Sequence, residues 1–276
     1  MSNYHCLVAG LPDVVFDGGK VTFSIDDFKR DIYPALSSAD AKCVDLFFLA
    51  WDNENILKLL FKGADAPLER TGCYTREELL DIIDAAKMGD VRKPGVPAYL
   101  YDFLEYYFEN EQVVSVMWPD ILSAHYYGYA ISSPNKFVSG WFEFNMNVNN
   151  LLVAMLARKY KMGVADVVVG SGEVAEALRT SAARDFGLAS TIDYLEAVQR
   201  LSENDRLQER EHLLDEMRWA WLDDNSVFNY FGVERLFVFL QKLDILARWA
   251  TLDSEKGMQR YTELIEDLKG GLEQTV

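Results

Sequence analysis

The sequence lacks any long uninterrupted apolar run. The longest candidate, Leu151 to Ala157, covers only seven residues, whereas a helix that spans a membrane needs about 18 or more. The opening segment, MSNYHCLVAGLPDVVF, also lacks the basic leader of a secretory signal. The sequence therefore predicts no direct membrane span and no signal peptide.

Cysteine and histidine are scarce. The three cysteines, Cys6, Cys43 and Cys73, are odd in number and widely spaced, which favours buried free thiols in a reducing cytoplasm over disulfides. Because the sequence contains no CxxC pair and no Cys/His cluster, we expect no structural zinc site.

Positive charge is also in short supply. Lys and Arg number 27 against 44 Asp and Glu, so the formal net charge is −17. An acidic surface repels nucleic-acid phosphates, and no basic stripe interrupts it, so we expect no nucleic-acid partner. Any charged partner should be basic, with the alternative that the acidity only maintains solubility.

The common catalytic signatures are missing as well. There is no GxSxG, no HExxH, no Walker sequence and no cysteine with a nearby histidine. Gly170, Gly172 and Ala175 spell GxGxxA after a short valine run, but a dinucleotide fold needs a second strand and an acidic residue about 20 residues on. The sequence there, TIDYLEAVQRL, has a helical pattern. We therefore interpret the glycines as a turn and helix start, and expect neither an enzyme nor a cofactor.

One candidate metal motif is present but incomplete. Glu209 and His212 form ExxH, the spacing with which a four-helix bundle ligates one metal of a dinuclear site. Such a site needs a second pair, and neither His5 nor His125 has a glutamate three residues before it. We interpret EREH as a solvated helix face and expect no metal. The sequence therefore disfavours a function as a metal-dependent helical-bundle enzyme.

Apolar residues in helical patterns are what the sequence does contain. Half of the 276 residues are apolar and 13% are aromatic, enough for a sizeable core in one large domain or two ordinary ones. Capping boxes begin helices after Ser24 and Thr75, and Gly63 and Gly89 end helices. Separate helices are predicted from Ser37 or Ser38 and from Asp52.

The remaining segments follow the same pattern. Helices are predicted in AYLYDFLEYYFENEQ, PDILSAHYYGYAIS, KFVSGWFEFNMNVNNLLVAMLARKYKMG, EVAEALRTS, TIDYLEAVQRLSE, DRLQEREHLLDEMRWAWL and KGMQRYTELIEDLKGG. Only VADVVVGSG reads as a strand, while Tyr4 to Pro12 fits a short strand or an extended lead into the first helix. The fold class is therefore predicted to be all-α.

The stretch Ser226 to Leu252 is the most apolar long helix candidate. Two apolar stripes leave no solvated flank, and they comprise Val233, Leu236, Phe237, Leu240, Leu243, Ala247 and Ala250 on one side and Val238, Phe239, Ile245, Leu246, Trp249 and Leu252 on the other. We interpret this stretch as a central core helix.

Asparagines form an unusual run in EFNMNVNNLL, at positions 145, 147, 149 and 150. Asn145 and Asn149 should share a helical face. Since neutral amides are poor catalysts but good interhelical hydrogen-bonding groups, we interpret them as buried polar ties, with a binding ridge as the alternative.

Three segments of the chain look alike. Each has an apolar run, a polar break and then a helix of the type xNhLxxhL or xExLhxhL, and the three are LAWDNENILKLLFKG, FEFNMNVNNLLVAMLARKY and FNYFGVERLFVFLQKLDILARW. They predict a single helical subunit, 1–276, whose pseudo-repeated lobes are centred on 37–62, 135–162 and 226–252.

These segments resemble the V/A-type rotary ATPase subunit that is called C in prokaryotes and d in eukaryotes. The family phrase D-x-x-N-I/L-x-x-L-L is matched by Asp52, Asn55, Ile56, Leu59 and Leu60. The form of its last repeat is matched by Gly232, Glu234, Leu236, Leu240, Asp244 and Arg248. NYHCLVAGLPD and MRWAWLDDNSVFNYFGVERL are still more similar to a bacterial family of unknown function that is associated with V-type ATPase gene clusters. The chain is shorter than typical C subunits, and Asn145 or Asn147 stands where an aspartate is expected.

The resemblance implies a funnel of three helical lobes that sits on the membrane rotor ring and receives the central shaft. Such a protein is cytoplasmic, peripheral to the membrane through the complex, and transmits torque without catalysis. The candidate polar ties between lobes are Asp52, Asn55, Asn149, Glu234 and Arg248. The alternative function is a cytosolic all-helical scaffold or regulatory adaptor unrelated to the ATPase.

Overall fold

The computed structural model describes residues 4–16, 22–113 and 117–252, and within these ranges every regular element is a helix. In chain order the helices are α1 (His5–Ala9), α2 (Ile25–Asp27), α3 (Ser38–Lys62), α4 (Arg76–Met88), α5 (Ala98–Asn110), α6 (Trp118–Ile131), α7 (Lys136–Lys159), α8 (Glu173–Thr180), α9 (Leu195–Glu203), α10 (Leu207–Ser226) and α11 (233–252). A π-helical turn, Phe28–Ile32, and a 3₁₀ turn, Tyr33–Ala35, extend α2. The predicted all-α class is confirmed, while the helix predicted in KGMQRYTELIEDLKGG lies outside the described residues.

The chain divides into two compact units. Unit 2 is continuous and comprises residues 38–225, whereas unit 1 combines residues 1–37 with residues 226–276. In the three described ranges, no helix has both the length and the apolar character needed to cross a membrane. The arrangement in three lobes stays a prediction.

Local sequence explains several helix boundaries. The Ser24 side chain accepts from the backbone N–H of Asp27, and the Asp27 carboxylate accepts from the backbone N–H of Ser24. Thr75 and Glu78 form the same reciprocal box at the start of α4, and such caps each contribute about 1 kcal/mol. Gly89 ends α4 with φ 70°, a left-handed conformation that glycine adopts without strain. These predicted boundaries are confirmed.

Other boundaries correct the predictions. The helix predicted to start at Asp52 is not separate, because α3 runs unbroken from Ser38 to Lys62. Its buried polar residues have partners, so they do not interrupt the helix; the Tyr99 hydroxyl, for example, donates to Asn53 Oδ1 at 2.8 Å. VADVVVGSG is an irregular loop rather than a strand.

Two further corrections concern unit 1. Residues 5–9 form the short helix α1 and not a strand, since the Val8 N–H donates to the Tyr4 carbonyl at 2.9 Å and closes a helical turn. Ser226 to Leu252 is not one helix either. A turn at 227–232 separates α10 from α11, and the Phe231 carbonyl in that turn accepts the Tyr4 N–H at 2.8 Å.

α11 supplies the core of unit 1. Its residues from Leu236 to Leu240 are all buried, so this half of the helix is covered on every side, as the two apolar stripes predict. Phe239 packs against Phe23 with ring centroids 5.5 Å apart. Towards the end of α11 the burial decreases, because Ala247 and Ala250 are exposed.

The core of unit 2 is built on its two longest helices. α3 packs against α4 and α6, and α7 packs against α6, α8 and α9. Tyr126 on α6 joins both, because its hydroxyl donates to the Leu46 carbonyl at 2.6 Å and its ring meets Phe142 edge-on at 5.6 Å. Phe144 on α7 stacks on Trp221 of α10 at 5.3 Å. Burial of each such side chain stabilises the fold by roughly 1.5–3 kcal/mol.

Candidate functional site

Asp52 binds the segment that precedes α4. It is fully buried in the middle of α3, and its two carboxylate oxygens accept the backbone N–H groups of Cys73 at 2.7 Å and Tyr74 at 3.3 Å. Gly72 lies so close that a Cβ there would be 2.1 Å from Asp52 Oδ1. Burial, together with negative charges that include Asp52, raises the pKa of Tyr74 above its usual range. The carboxylate thus acts as a structural acceptor for a backbone turn.

Asn55, one helical turn further along α3, holds the same connection. Its Nδ2 donates to the Arg70 carbonyl at 2.8 Å. From the other side, the Arg76 guanidinium at the start of α4 donates to the carbonyls of Ala64 and Ala66. The connection at residues 63–75, the first loop, has no regular structure, so these side chains satisfy its backbone instead.

Asn150 plays the equivalent part in α7. The Val169 N–H donates to Asn150 Oδ1 at 2.8 Å, and Asn150 Nδ2 donates to the Val169 carbonyl at 2.7 Å. Arg179 on α8 donates to the carbonyls of Val168 at 2.9 Å and Gly170 at 2.7 Å. Residues 160–172, the second loop, are thus held in the same way as the first loop, by an asparagine of the preceding long helix and an arginine of the following helix.

The sequence indicated Asn149 as a tie between lobes and Asn150 only as a member of the asparagine run, and it gave no role to Arg179. A signal was available, because aligning Asn55-Ile56-Leu57 with Asn150-Leu151-Leu152 places Asn150, and not Asn149, opposite Asn55. The target of the amide differs in distance along the chain, 15 residues for Asn55 and 19 for Asn150. A search for an asparagine and a target carbonyl at one fixed spacing therefore does not detect that the two asparagines have the same role.

Asn149 belongs instead to a buried polar network centred on Arg218 of α10. The Arg218 guanidinium donates to Asn145 Oδ1 at 2.9 Å and Asn149 Oδ1 at 3.1 Å, and it pairs with Asp215, which is 1% exposed, at 3.1 Å. Asn149 Nδ2 donates to the Tyr127 hydroxyl at 3.3 Å. Burial raises the pKa of Tyr127, while the Arg218 charge opposes that rise.

All four asparagines of the run therefore have partners, since Asn147 is hydrogen-bonded to the Tyr194 side chain. Asn145 and Asn149 share a face, as their spacing predicts, and both contact Arg218. The interpretation as buried polar ties is supported over a binding ridge.

Glu234 and Arg248, the last two predicted site residues, both lie on α11 in unit 1. Glu234 is buried in the first turn of the helix, and a Cβ on Gly232 would lie 2.1 Å from its Oε2. Arg248 is half-buried, with its guanidinium carbon 5.8 Å from the centre of the Trp249 ring. Their predicted role between lobes stays a prediction.

An open cleft of about 730 Å³ lies between α6 and the second loop. Its ionisable lining residues are Asp120, His125, Asp166 and Arg179. The GxGxxA glycines precede α8 as a turn and helix start, with irregular backbone in place of the strand that a dinucleotide fold requires. The lining of the cleft combines acidic and basic side chains, so its charge does not indicate which class of ligand would bind there.

The candidate metal ligands are not brought together. Glu209 on α10 lies 3.6 Å from Arg206, which precedes that helix, in an exposed pair. Across the described part of the chain no group of three or more His, Cys, Asp or Glu side chains converges to hold a metal. None of the three cysteines forms a disulfide, and only Cys43 is buried. The prediction that all three thiols are buried is wrong for Cys6, on the short helix α1, and for Cys73, in the first loop.

Comparisons with known proteins point to one family. A family model described as "Protein of unknown function (DUF2764)" matches residues 1–272. No curated protein and no solved structure matches the chain significantly.

Proposed function

We propose a function for this chain, which belongs to the DUF2764 family, from its pattern of repeated segments. In this proposal, the chain is a non-catalytic central-rotor subunit of a V/A-type ATPase that links the central shaft to the membrane rotor ring. The basis is the resemblance of the three similar segments, at 37–62, 135–162 and 226–252, to the C or d subunit of such complexes.

One structural observation carries the proposal. In two of the three segments, the asparagine at the matching position, Asn55 or Asn150, donates to a carbonyl of the loop that follows its helix. In both, an arginine of the next helix, Arg76 or Arg179, donates to two further carbonyls of the same loop. A shared arrangement of this kind supports an internal repeat, which is the feature that the resemblance requires.

The proposed role also fits the chemistry of the buried polar groups. Asp52, Asn150 and Arg218 each fix one segment to another by hydrogen bonds inside unit 2. Such ties resist deformation, which is what a subunit that passes torque from shaft to ring needs. The role requires no nucleophile, general base or cofactor.

Purification from native membranes tests the proposal. A tagged chain, extracted from its own cells in a mild detergent, should recover shaft and rotor-ring subunits of a V/A-type ATPase in constant ratio. A matched control is the tagged Asn150→Ala chain, which should fold less stably and recover less of the complex. If the wild-type chain is recovered without ATPase subunits, the proposal is wrong and the helical scaffold or adaptor is favoured.

A further inference from the structure

An aromatic face covers one side of unit 2 where α3 ends, α5 ends and α6 begins. We define it by the rings of Phe61, Tyr106, Tyr107, Phe108 and Trp118. Tyr107 lies 6.3 Å from Phe61 and 4.8 Å from Trp118, and Tyr106 lies 6.1 Å from Trp118 between ring centroids. Phe61 is 50% exposed and Tyr106 is 41% exposed. The face is therefore a connected set of rings that rests on the buried Trp118 and is open to solvent at Phe61 and Tyr106.

Its surroundings are acidic. No Lys or Arg occurs between Lys93 and Lys136, a stretch that contains the whole of α5 and α6. The same stretch holds five carboxylates, at Asp102, Glu105, Glu109, Glu111 and Asp120. Arg92 pairs with the first two, at 2.8 Å each. Glu109 and Glu111 are exposed at the end of α5, whereas Asp120 lines the cleft beside the second loop.

The positions of Glu109 and Glu111 are unfavourable for the helix that carries them. They lie at the C-terminal end of α5, the negative end of the helix dipole, and the last turn contains no basic residue to offset them. Glu111 also lies near the aromatic face. Burial raises the pKa of Tyr107, and the negative charge of Glu111 adds to this rise. Isolated α5 would be more stable with cations at this end.

The rings already receive one cation from within the chain. The Lys87 ammonium lies 5.8 Å from the centre of the Phe108 ring, within the range of a cation–π contact. Lys62, next to Phe61, is the other nearby cation in the sequence. Lys62 belongs to α3 and Lys87 to α4, and α5 itself contains no Lys or Arg.

We propose that the aromatic face is a docking surface for a basic amphipathic helix of a partner protein. Apolar side chains of that helix pack on Phe61, Tyr106 and Tyr107, and its Lys or Arg side chains pair with Glu109 and Glu111. Charge complementarity favours this partner, because carboxylates at the rim repel anionic lipids and nucleic-acid phosphates. The inference rests on the surface of unit 2 alone and does not depend on the proposed role in an ATPase.

Binding of a synthetic helix to the full chain tests the inference. The probe is an amphipathic peptide of leucine and lysine, and its counterpart of leucine and glutamate is the control. At low salt the lysine peptide should bind with a hydrogen-exchange footprint over residues 98–131, and the glutamate peptide should not bind. Affinity should fall about tenfold or more in E109Q/E111Q and in Y106A.

The double variant E203Q/E216Q is the matched control, because it removes two exposed carboxylates elsewhere in unit 2. It should change the affinity less than about twofold, since each surface charge pair contributes little at a distance. Equal losses in the two double variants, binding of the glutamate peptide, absence of binding by the lysine peptide, or a footprint that misses residues 98–131 would each overturn the inference. Circular dichroism confirms that the variants remain folded.

Discussion

Asp52 and Asn150 place polar groups at buried positions of the two longest helices, α3 and α7. Each is stable there because it accepts or donates backbone hydrogen bonds from a loop, Cys73 and Tyr74 for Asp52 and Val169 for Asn150. A hydrogen bond of this kind contributes about 1 kcal/mol net, whereas leaving a buried partner unsatisfied costs about 1–3 kcal/mol. The folded conformation of each loop therefore depends on hydrogen bonds from individual side chains of the preceding helix.

Gly72→Ala should destabilise unit 2 by about 2–4 kcal/mol. The new methyl group would overlap the Asp52 carboxylate, 2.1 Å from Oδ1, and would displace it from the N–H groups of Cys73 and Tyr74. Urea unfolding followed by circular dichroism measures the loss. Gly128→Ala is the control, because Gly128 lies exposed inside α6 with no atom within 4 Å of the added Cβ, and it should stabilise by up to about 1 kcal/mol.

Asn150→Ala should lower the free energy of unfolding by about 1–3 kcal/mol, since it leaves both backbone groups of Val169 without their side-chain partner. Hydrogen exchange at residues 164–172 should accelerate more than exchange elsewhere in unit 2. Asn225→Ala, at an exposed position of α10, should stay within about 0.5 kcal/mol of wild type. Equal protection of the second loop in both variants would contradict the role assigned to Asn150.

Irregular segments in this protein are held by arginines as well as by asparagines. Arg76 and Arg179 fix the first and second loops, and Arg158 of α7 donates to the carbonyls of Ser181 and Ala183 at 2.6 Å each. The Arg158 guanidinium also lies 3.5 Å from the centre of the Phe186 ring, and burial lowers its pKa. At the scale of elements, helices supply the side chains and loops supply the carbonyls.

Arg218→Met should destabilise unit 2 by about 3–5 kcal/mol, because it leaves the buried carboxylate of Asp215 without its cation. The double variant with Asp215→Asn should cost clearly less than the sum of the two single variants. A double-mutant cycle in urea measures this coupling between Asp215 and Arg218 within α10. Additive single effects would show that Asp215 and Arg218 do not act as a pair.

Buried tyrosines should make the protein sensitive to alkali. Burial raises the pKa of Tyr99 and Tyr126 well above the ordinary value of 10.0. A phenol that stays neutral when folded contributes stability fully below the unfolded pKa, and this contribution is lost as the pH rises towards the folded pKa. In an absorbance titration, these phenols should ionise only together with unfolding above about pH 10. Ionisation of every tyrosine in the native state would contradict the prediction.

At the scale of the whole molecule, the sequence predicted the class of fold and most helices, because capping boxes, terminal glycines and apolar periodicity are local. It did not predict that α3 continues through Asp52, or that the last helix begins at 233 rather than at Ser226. Those outcomes depend on partners distant in sequence, Cys73 for Asp52 and Tyr4 for the turn at Phe231. Arg218 was missed for the same reason, since Asn145 lies 73 residues before it.

Residues 38–225 should fold without the rest of the chain, because they form one continuous compact unit with its own core. Expressed alone, this segment should show helical circular dichroism, dispersed side-chain signals in NMR spectra and a single cooperative thermal transition. A non-cooperative transition with weak near-ultraviolet signals would show that the segment needs unit 1 to complete its packing.

Unit 1 combines two segments that are separated in sequence by unit 2, so the two units cannot finish folding at the same stage of synthesis. Residues 4–37 emerge from the ribosome before unit 2, but Phe23 and the Tyr4 N–H find their partners in Phe239 and Phe231 only after unit 2 has been synthesised. Unit 2 can fold in the interval, since domains fold as units while the chain grows. A nascent chain that terminates before α11 would therefore carry a finished unit 2 and an uncovered early segment, which would mark it for degradation.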